Sequence, residues 1–285
     1  MAERNWKASN DSKGYGEVHL SSWDDFSAFV HEEMREFDEY VWRGQRCENW
    51  DLASTLDRLI KNAKIAKTKQ YGFIHSHLER FKYAARGRRG QNPRIIESEN
   101  EWWALGQHHG FSTPLLDWTS SPFVAAYFAF INHGARQTKN RAIYALHRPT
   151  IEKQVQKIVE NAENVRMHKI TSTEKVINHL AHMASQKETA PQVEFIRPMS
   201  DENQRLVNQG GLFTRAYSGK SLDSWVKANP TEGDGLTLIK IFIPNKEREK
   251  CLQTLNRMNI NHLTLFPDLY GASKFCNLFG EIEKY

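Results

Sequence analysis

The sequence predicts an α+β fold: one domain over residues 1–285 in which helices flank a mixed, strand-poor sheet. Three observations carry this. Short apolar or β-branched runs stand at 40–42, 115–116, 141–147, 192–198 and 236–244. Between them lie stretches whose apolar residues recur every three or four positions, the spacing of one helix face. A polar span at 149–190, rich in Lys, Glu, Asn and Thr and weakly helical in period, reads as a helical insertion within the domain.

Taken in order, Ser21 or Ser22 caps a helix whose apolar face is Trp23, Phe26, Phe29 and Val30, and an acid-rich end leads into the strand at 40–42. Leu52, Leu56, Leu59 and Ile60 suggest a second helix, and a long charged one runs through Phe73, His77 and Phe81. Leu115 and Leu116 form a buried strand. The polar corner after them, from Asp117 to Pro122, supplies a helix start with proline near its first turn. In the helix that follows, Phe123, Ala126, Tyr127 and Phe130 share a face, and Ala125, Ala126 and Ala129 let it approach a sheet closely. Residues 219–235 read as a surface connection and 246–258 as a helix. Residues 260–265 read as a short strand, and 268–279 as a turn that becomes a closing helix.

A chain of 285 residues can bury a real core. Its net charge of +5 and pI near 9.0 favour acidic partners, nucleic acid among them. No apolar run is long enough to span a bilayer and the first residues carry no apolar signal core, so a cytoplasmic protein without a membrane partner is expected. Cys47, Cys251 and Cys276 are odd in number and far apart, with no CxxC pair, which points to free thiols and no structural metal. The twelve histidines are scattered without metal spacing, and His75 and His77 would point apart on a helix.

Two segments concentrate chemistry. Residues 80–94 contain no acid and interleave Phe81 and Tyr83 with cations, among them Arg86, Arg88 and Arg89. Guanidinium forks suit phosphate and aromatic faces suit unpaired bases, so the segment can be read as an RNA-facing loop or as a solvated helix end with Phe81 buried. Residues 103–129 pack paired histidines beside an Asp-Trp-Thr corner. The hydroxyls of Thr119, Ser120 and Ser121, with the free amides of a helix's first turn, could hold a phosphate or ribose, or serve as an ordinary cap. His108 and His109 offer acid–base groups that titrate near neutrality, one expected to point inward and one outward.

These pieces also carry a family likeness. Trp42-Arg43-Gly44-Gln45, then Gln107-His108-His109-Gly110 leading to Leu115-Leu116-Asp117-Trp118-Thr119 and Ala125-Ala126-Tyr127-Phe128-Ala129, resemble the FRG domain, named for an aromatic-Arg-Gly signature. Two later blocks, 203–214 and 265–272, follow in family order. The first signature position, usually Phe or Tyr, is Trp42 here and keeps a flat aromatic face. The resemblance implies a distant likeness to ADP-ribosyltransferases, and so an ADP-ribosyltransferase-like sheet core with NAD as substrate and no metal. It further implies a toxin-like effector of bacterial antiviral defence, restrained by an antitoxin or similar inhibitory partner; the arginine-rich segment at 80–94 slightly favours RNA over protein as acceptor.

On that reading Arg43 contacts the ligand with a bidentate fork, Gly44 permits close backbone approach, and Gln45 assists. The alternative for Arg43 is a buried pairing with Asp117 or Asp268. Tyr127 and Trp118 would stack on nicotinamide or else be core aromatics, Thr119 would meet the ligand at the corner, and Asp117 would orient Arg43 or a histidine. Gln209 stands where many such transferases carry a glutamate; it can bond a ribose hydroxyl but offers no charge, and Glu194 ranks below it. Two other classes stay open: a non-catalytic module binding NAD or nucleic acid, and an RNA-cleaving enzyme using His108 and His109 as acid and base.

Overall fold

The computed structural model of the chain describes residues 7–12, 14–133, 138–169, 193–198, 207–216, 220–231 and 235–285. Its strands are β1 (Lys7–Ser12), β2 (Tyr15–His19), β3 (Tyr40–Gln45), β4 (Leu115–Thr119), β5 (Asn140–His147), β6 (Val193–Ile196), β7 (Gly211–Ala216) and β8 (Leu238–Pro244). Its helices are α1 (Trp23–Glu33), α2 (Thr55–Asn62), α3 (Lys67–Ala85), α4 (Glu99–His108), α5 (Pro122–Phe130), α6 (Arg148–Lys169), α7 (Leu222–Ala228), α8 (Arg248–Arg257), α9 (His262–Leu265) and α10 (Leu269–Glu281). All eight strands join one sheet in the order β1-β2-β8-β5-β3-β4-β7-β6, and every neighbouring pair is antiparallel except β2 with β8.

The α+β class and the mixed sheet stand as read, but the sheet is not strand-poor. The missed hairpin of β1 and β2 begins with KASNDS, a polar edge strand with no apolar alternation to reveal it. Side chains alternate across the sheet as the strand period requires. Tyr40, Trp42, Ile143 and Ile241 face α1, α5, α8 and α10 in one core, while Val41, Trp118, Tyr144 and Leu238 face α6 and α7 in another. A third cluster joins α2, α3 and α4 to Leu115, Ile196 and Phe213 of the outer strands.

Local chemistry sets the helix starts. Ser22 accepts from the Asp25 amide, Ser121 from Val124 with Pro122 in the first turn, and Asp268 from Gly271. Two expectations are corrected. Within 219–235 the chain forms α7, which buries Leu222, Trp225 and Val226 and is too short for its period to be read. Residues 260–265 are not a strand: Asn261 and Thr264 form a reciprocal capping box that starts α9, and four residues are too few for a hydrophobic pattern to compete. Of the expected insertion, α6 follows β5 directly and its Ile151 is fully buried, so its first turn belongs to the core; residues 170–190 lie outside the described residues.

Helix α5 fixes the centre of the molecule. It lies so close on β3 that a Cβ added at Gly44 would stand 1.9 Å from the Ala125 carbonyl oxygen and 2.6 Å from the Ala129 nitrogen. The glycine expected to admit a ligand therefore admits a helix. The buried C-terminal end of α5 exposes carbonyls that need donors. Arg141 Nη1 donates to Ala129 (3.2 Å), and Arg248 donates to Phe130 and Ile131 (3.0 Å each), placing two cations at the negative end of the helix dipole. Burial, followed by the neighbouring Arg248 charge, pushes Arg141 down to about 10, still cationic at neutral pH.

Overpacking usually costs about 1–3 kcal/mol. Backbone rather than a flexible side chain blocks a methyl at Gly44, so Gly44→Ala should cost about 3 kcal/mol, read as a lowered urea midpoint in equilibrium unfolding; an unchanged midpoint would contradict the close helix–strand contact.

Candidate functional site

Strands β3 and β4 pair only through Trp42 and Thr119 and then part. A cleft of about 340 Å³ lies where they separate. Its lining comes from both faces of the two strands, Trp42 and Gly44 with Arg43, Asp117 and Thr119 with Trp118, as a gap in a sheet requires. Gln107 and His108 at the end of α4, Ala125 and Phe128 of α5, and Gln209, Phe213 and Phe266 complete it.

Arg43 spans the gap. Its Nη1 donates to the Asp117 carbonyl at 2.7 Å and lies 3.4 Å from Oδ2. The same Oδ2 accepts from Gln107 Nε2 at 2.9 Å; Gln107 Oε1 accepts from the Thr113 hydroxyl, and the Thr113 amide donates to Thr55 Oγ1 at 2.9 Å. One chain of bonds thus ties β3, β4, α4 and α2 around the cleft mouth. The Arg43 side chain is 18% exposed and that of Asp117 56%, so the ion pair itself contributes at most about 1 kcal/mol and matters for position. Arg43 Nε and Gln45 Oε1, on the same face of β3, are buried with no hydrogen-bond partner among the described residues. Leaving such a donor and acceptor unmet costs about 1–3 kcal/mol each.

Seven of the residues singled out in the sequence border the cleft together: Arg43, Gly44, His108, Asp117, Trp118, Thr119 and Gln209. Arg43 pairs with Asp117, while Asp268 is committed to capping α10. Trp118 is a core ring, 2% exposed, with its indole N–H on Thr214 Oγ1. Thr119 Oγ1 donates to the Gln209 carbonyl at 2.6 Å and accepts from the Ser121 amide, which with the Ser121 cap makes the corner an ordinary helix start. Gln209 Nε2 donates to the Leu265 carbonyl and Asn208 Nδ2 to that of Thr264, so the loop before β7 is tied to α9. The turn closes at Gly210, whose φ of +55° favours glycine. His108 is half-buried and His109 exposed, with their rings edge-on at 4.8 Å.

Two expected ligand contacts are corrected. Tyr127 is fully buried, with its hydroxyl against His262 Nδ1, because its side of α5 turns toward α9. The next residue, Phe128, faces the cleft instead. Gln45 is 6% exposed, spends its amide on the Asp51 carbonyl and does not line the cleft. Glu194 accepts from Asn100 Nδ2 on edge strand β6, away from the cleft lining. Sequence reasoning passed over Gln107, Phe128 and Phe266 although each adjoins or sits within a quoted block. Phe128 and Phe266 meet edge-on at 6.1 Å.

The basic segment closes largely on itself. Arg86 lies over the Tyr83 ring (3.7 Å), Arg88 Nη1 donates to the Ala84 carbonyl, and Arg89 donates to the Arg94 carbonyl and lies over Trp102. Tyr83 is exposed, whereas Phe81 stacks on Phe111. His77 sits between Phe73 and Phe111 with Nε2 3.0 Å from the Ser112 carbonyl; a carbonyl only accepts, so that nitrogen carries the proton and the residue is structural. Cys47, Cys251 and Cys276 are free thiols. Among the described residues no group of three or more His, Cys, Asp or Glu converges as metal ligands, and no helix is long and apolar enough to cross a membrane.

Residues 38–140 match the family model of the FRG domain. That span holds the Arg43 signature, α4, β4 and α5, and so both edges of the gap; the later blocks with Gln209 and Phe266 fall outside it. No curated protein and no solved structure matches the chain.

His262 packs flat on Phe266, and burial, with a smaller push from Lys274, lowers it to about 4. The folded protein keeps this ring neutral where the unfolded chain, at about 6.5, takes up a proton. Stability should therefore fall as pH drops from about 6.5 toward 4, and His262→Gln should flatten that part of the curve in unfolding measured at stepped pH.

Proposed function

We propose that the chain is an NAD-dependent ADP-ribosyltransferase whose reaction takes place in the cleft between β3 and β4. The observation that carries the reading is the placing of Arg43 across that gap, beside Asp117, His108 and Gln209 and among aromatic rings. A concave site of this size, apolar in its floor with a few converging polar groups, suits part of a dinucleotide. Support also comes from the FRG match over both gap edges and from the ADP-ribosyltransferase likeness that the family resemblance implies.

In this mechanism Arg43 grips a phosphate oxygen, and the edge-on pair of Phe128 and Phe266 forms one apolar wall for the nicotinamide ring. The bond from ribose C1′ to nicotinamide nitrogen breaks and its electron pair leaves with nicotinamide. Asp117, the one acid among the described residues of the lining, faces the developing positive charge at C1′. The acceptor's nucleophile then bonds C1′ while His108 takes its proton. With its amide held by Leu265, Gln209 has its Oε1 to accept from a ribose hydroxyl.

RNA is the favoured acceptor. Arg89 lies over Trp102 near the start of α4 and His108 stands at its end, six residues or about 9 Å along the axis, so one bound strand can meet the basic segment and the cleft. The biological setting proposed with it is a toxin-like effector in antiviral defence, held in check by an inhibitory partner protein. One observation favours a second reading, a binding module without turnover: Gln209, where a carboxylate would steady the cation, is neutral and spends its amide on the fold.

Purified protein incubated with labelled NAD, in turn with total RNA and with total protein, tests the choice. Label on RNA with release of free nicotinamide is expected, and Arg43→Ala should reduce it at least about 100-fold, the scale of losing a charged transition-state contact, with an unchanged melting temperature. Neither label nor nicotinamide would leave the binding module. Alanine at Arg86, Arg88 and Arg89 together should weaken RNA binding and flatten its salt dependence while NAD binding stays unchanged, as fluorescence titration at two salt concentrations would show.

A further inference from the structure

We propose that Gln107 is the positioning residue for Asp117, holding that carboxylate by Oδ2 and leaving Oδ1 for a ligand; that Oδ1 meets the ribose C1′ of NAD rests on the transferase reading. Both residues line the cleft. Among the described residues the carboxylate bonds through Oδ2 alone. Gln107 Nε2 donates to it at 2.9 Å, and Arg43 Nη1 stands farther off at 3.4 Å. Arg43 also serves the Asp117 carbonyl and is the group that a ligand anion would draw away. Gln107 is neutral, so it fixes the carboxylate without cancelling its charge.

An amide that turned over would set its oxygen against the carboxylate and push it aside. The Thr113 hydroxyl prevents this. Thr113 Oγ1 accepts from the Leu115 amide at 3.3 Å and sends its single proton to Gln107 Oε1, which leaves Nε2 facing Asp117. Thr113 is fully buried, and the start of α2 clamps its backbone: its amide donates to Thr55 Oγ1 at 2.9 Å and its carbonyl accepts from the Leu56 amide at 3.0 Å. The main chain under Gln107 is fixed as well. Its carbonyl accepts from the Gly110 amide at 3.1 Å in the turn that closes α4, where Gly110 has a φ of +80°. Donors and acceptors therefore run in one forced order, from the Leu115 amide through the Thr113 hydroxyl and the Gln107 amide to the Asp117 carboxylate.

Two measurements on the full chain test this. In proton–nitrogen NMR spectra the side-chain amide signals of Gln107 should move as acid protonates Asp117, and the movement should vanish in Asp117→Asn. In nicotinamide release from NAD, Thr113→Val, which alters no group of the cleft lining, should lower kcat at least about tenfold, the scale of a misplaced contact, with KM nearly unchanged. Thr113→Ser, which restores the hydroxyl, should recover most of that loss. Gln107→Glu donates to Asp117 only while protonated, so its activity relative to wild type should rise as pH falls. Amide signals indifferent to Asp117, an unchanged kcat in Thr113→Val, or Thr113→Ser no better than Thr113→Val would overturn the proposal. Should Thr113→Val fail to fold, a Gln107→Glu profile parallel to that of wild type would overturn it instead. Coupled amide and carboxylate signals with no nicotinamide release by wild type would keep the orientation and overturn the transferase reading.

Discussion

The contact between α5 and β3 at Gly44 is the constraint on which the rest of the molecule depends. A helix backbone lying against a strand backbone leaves no room for a side chain between them, which selects glycine below and alanine above. The same depth buries the helix end and strands its carbonyls, a demand met by two arginines from β5 and α8. It also sets Phe128 against the cleft and Tyr127 against α9. In the aromatic-Arg-Gly signature the labour is divided: the glycine admits the helix and the arginine beside it spans the cleft.

The cleft exists because a ladder stops. Beyond Trp42 and Thr119 the edges of β3 and β4 no longer satisfy one another, and polar groups that a continuous sheet would have silenced become available. Arg43 answers one of them, the Asp117 carbonyl, and in doing so is held across the opening. The polar relay from Thr55 to Asp117 keeps α2 and α4 at one rim, while the bonds from Asn208 and Gln209 keep α9 at the other. The site is therefore a property of several elements rather than of one motif.

What the sequence made legible was local. Caps at Ser22 and Ser121, the period of α1 and α3, and the apolar runs of β5 and β8 all state their structure within a few residues. The arginine, the Asp-Trp-Thr corner and His108 stood out because polar groups gather there beside apolar ones. The errors share a physical cause. A helical wheel groups Tyr127 with a face but does not say which neighbour covers it, and Tyr127 and Phe128 exchange roles on that account. Polar β1 becomes a strand only because β2 is present to pair with it, and α9 becomes a helix only through a cap at Asn261. The role of Gly44 is likewise set by a helix some 80 residues further along the chain.

The parallel pairing of β2 with β8 joins residues more than 200 positions apart, Tyr15 with Leu238 and His19 with Phe242. Strand β8 also covers the edge of β5, so a nascent chain that has not yet reached it has an open sheet and an N-terminal hairpin with nothing to join. Phe266, one wall of the cleft, is made later still. During biosynthesis the chain thus carries Arg43 from early on but gains this wall of the cleft only once Phe266 has emerged from the ribosome. The topology itself delays the assembly of the cleft.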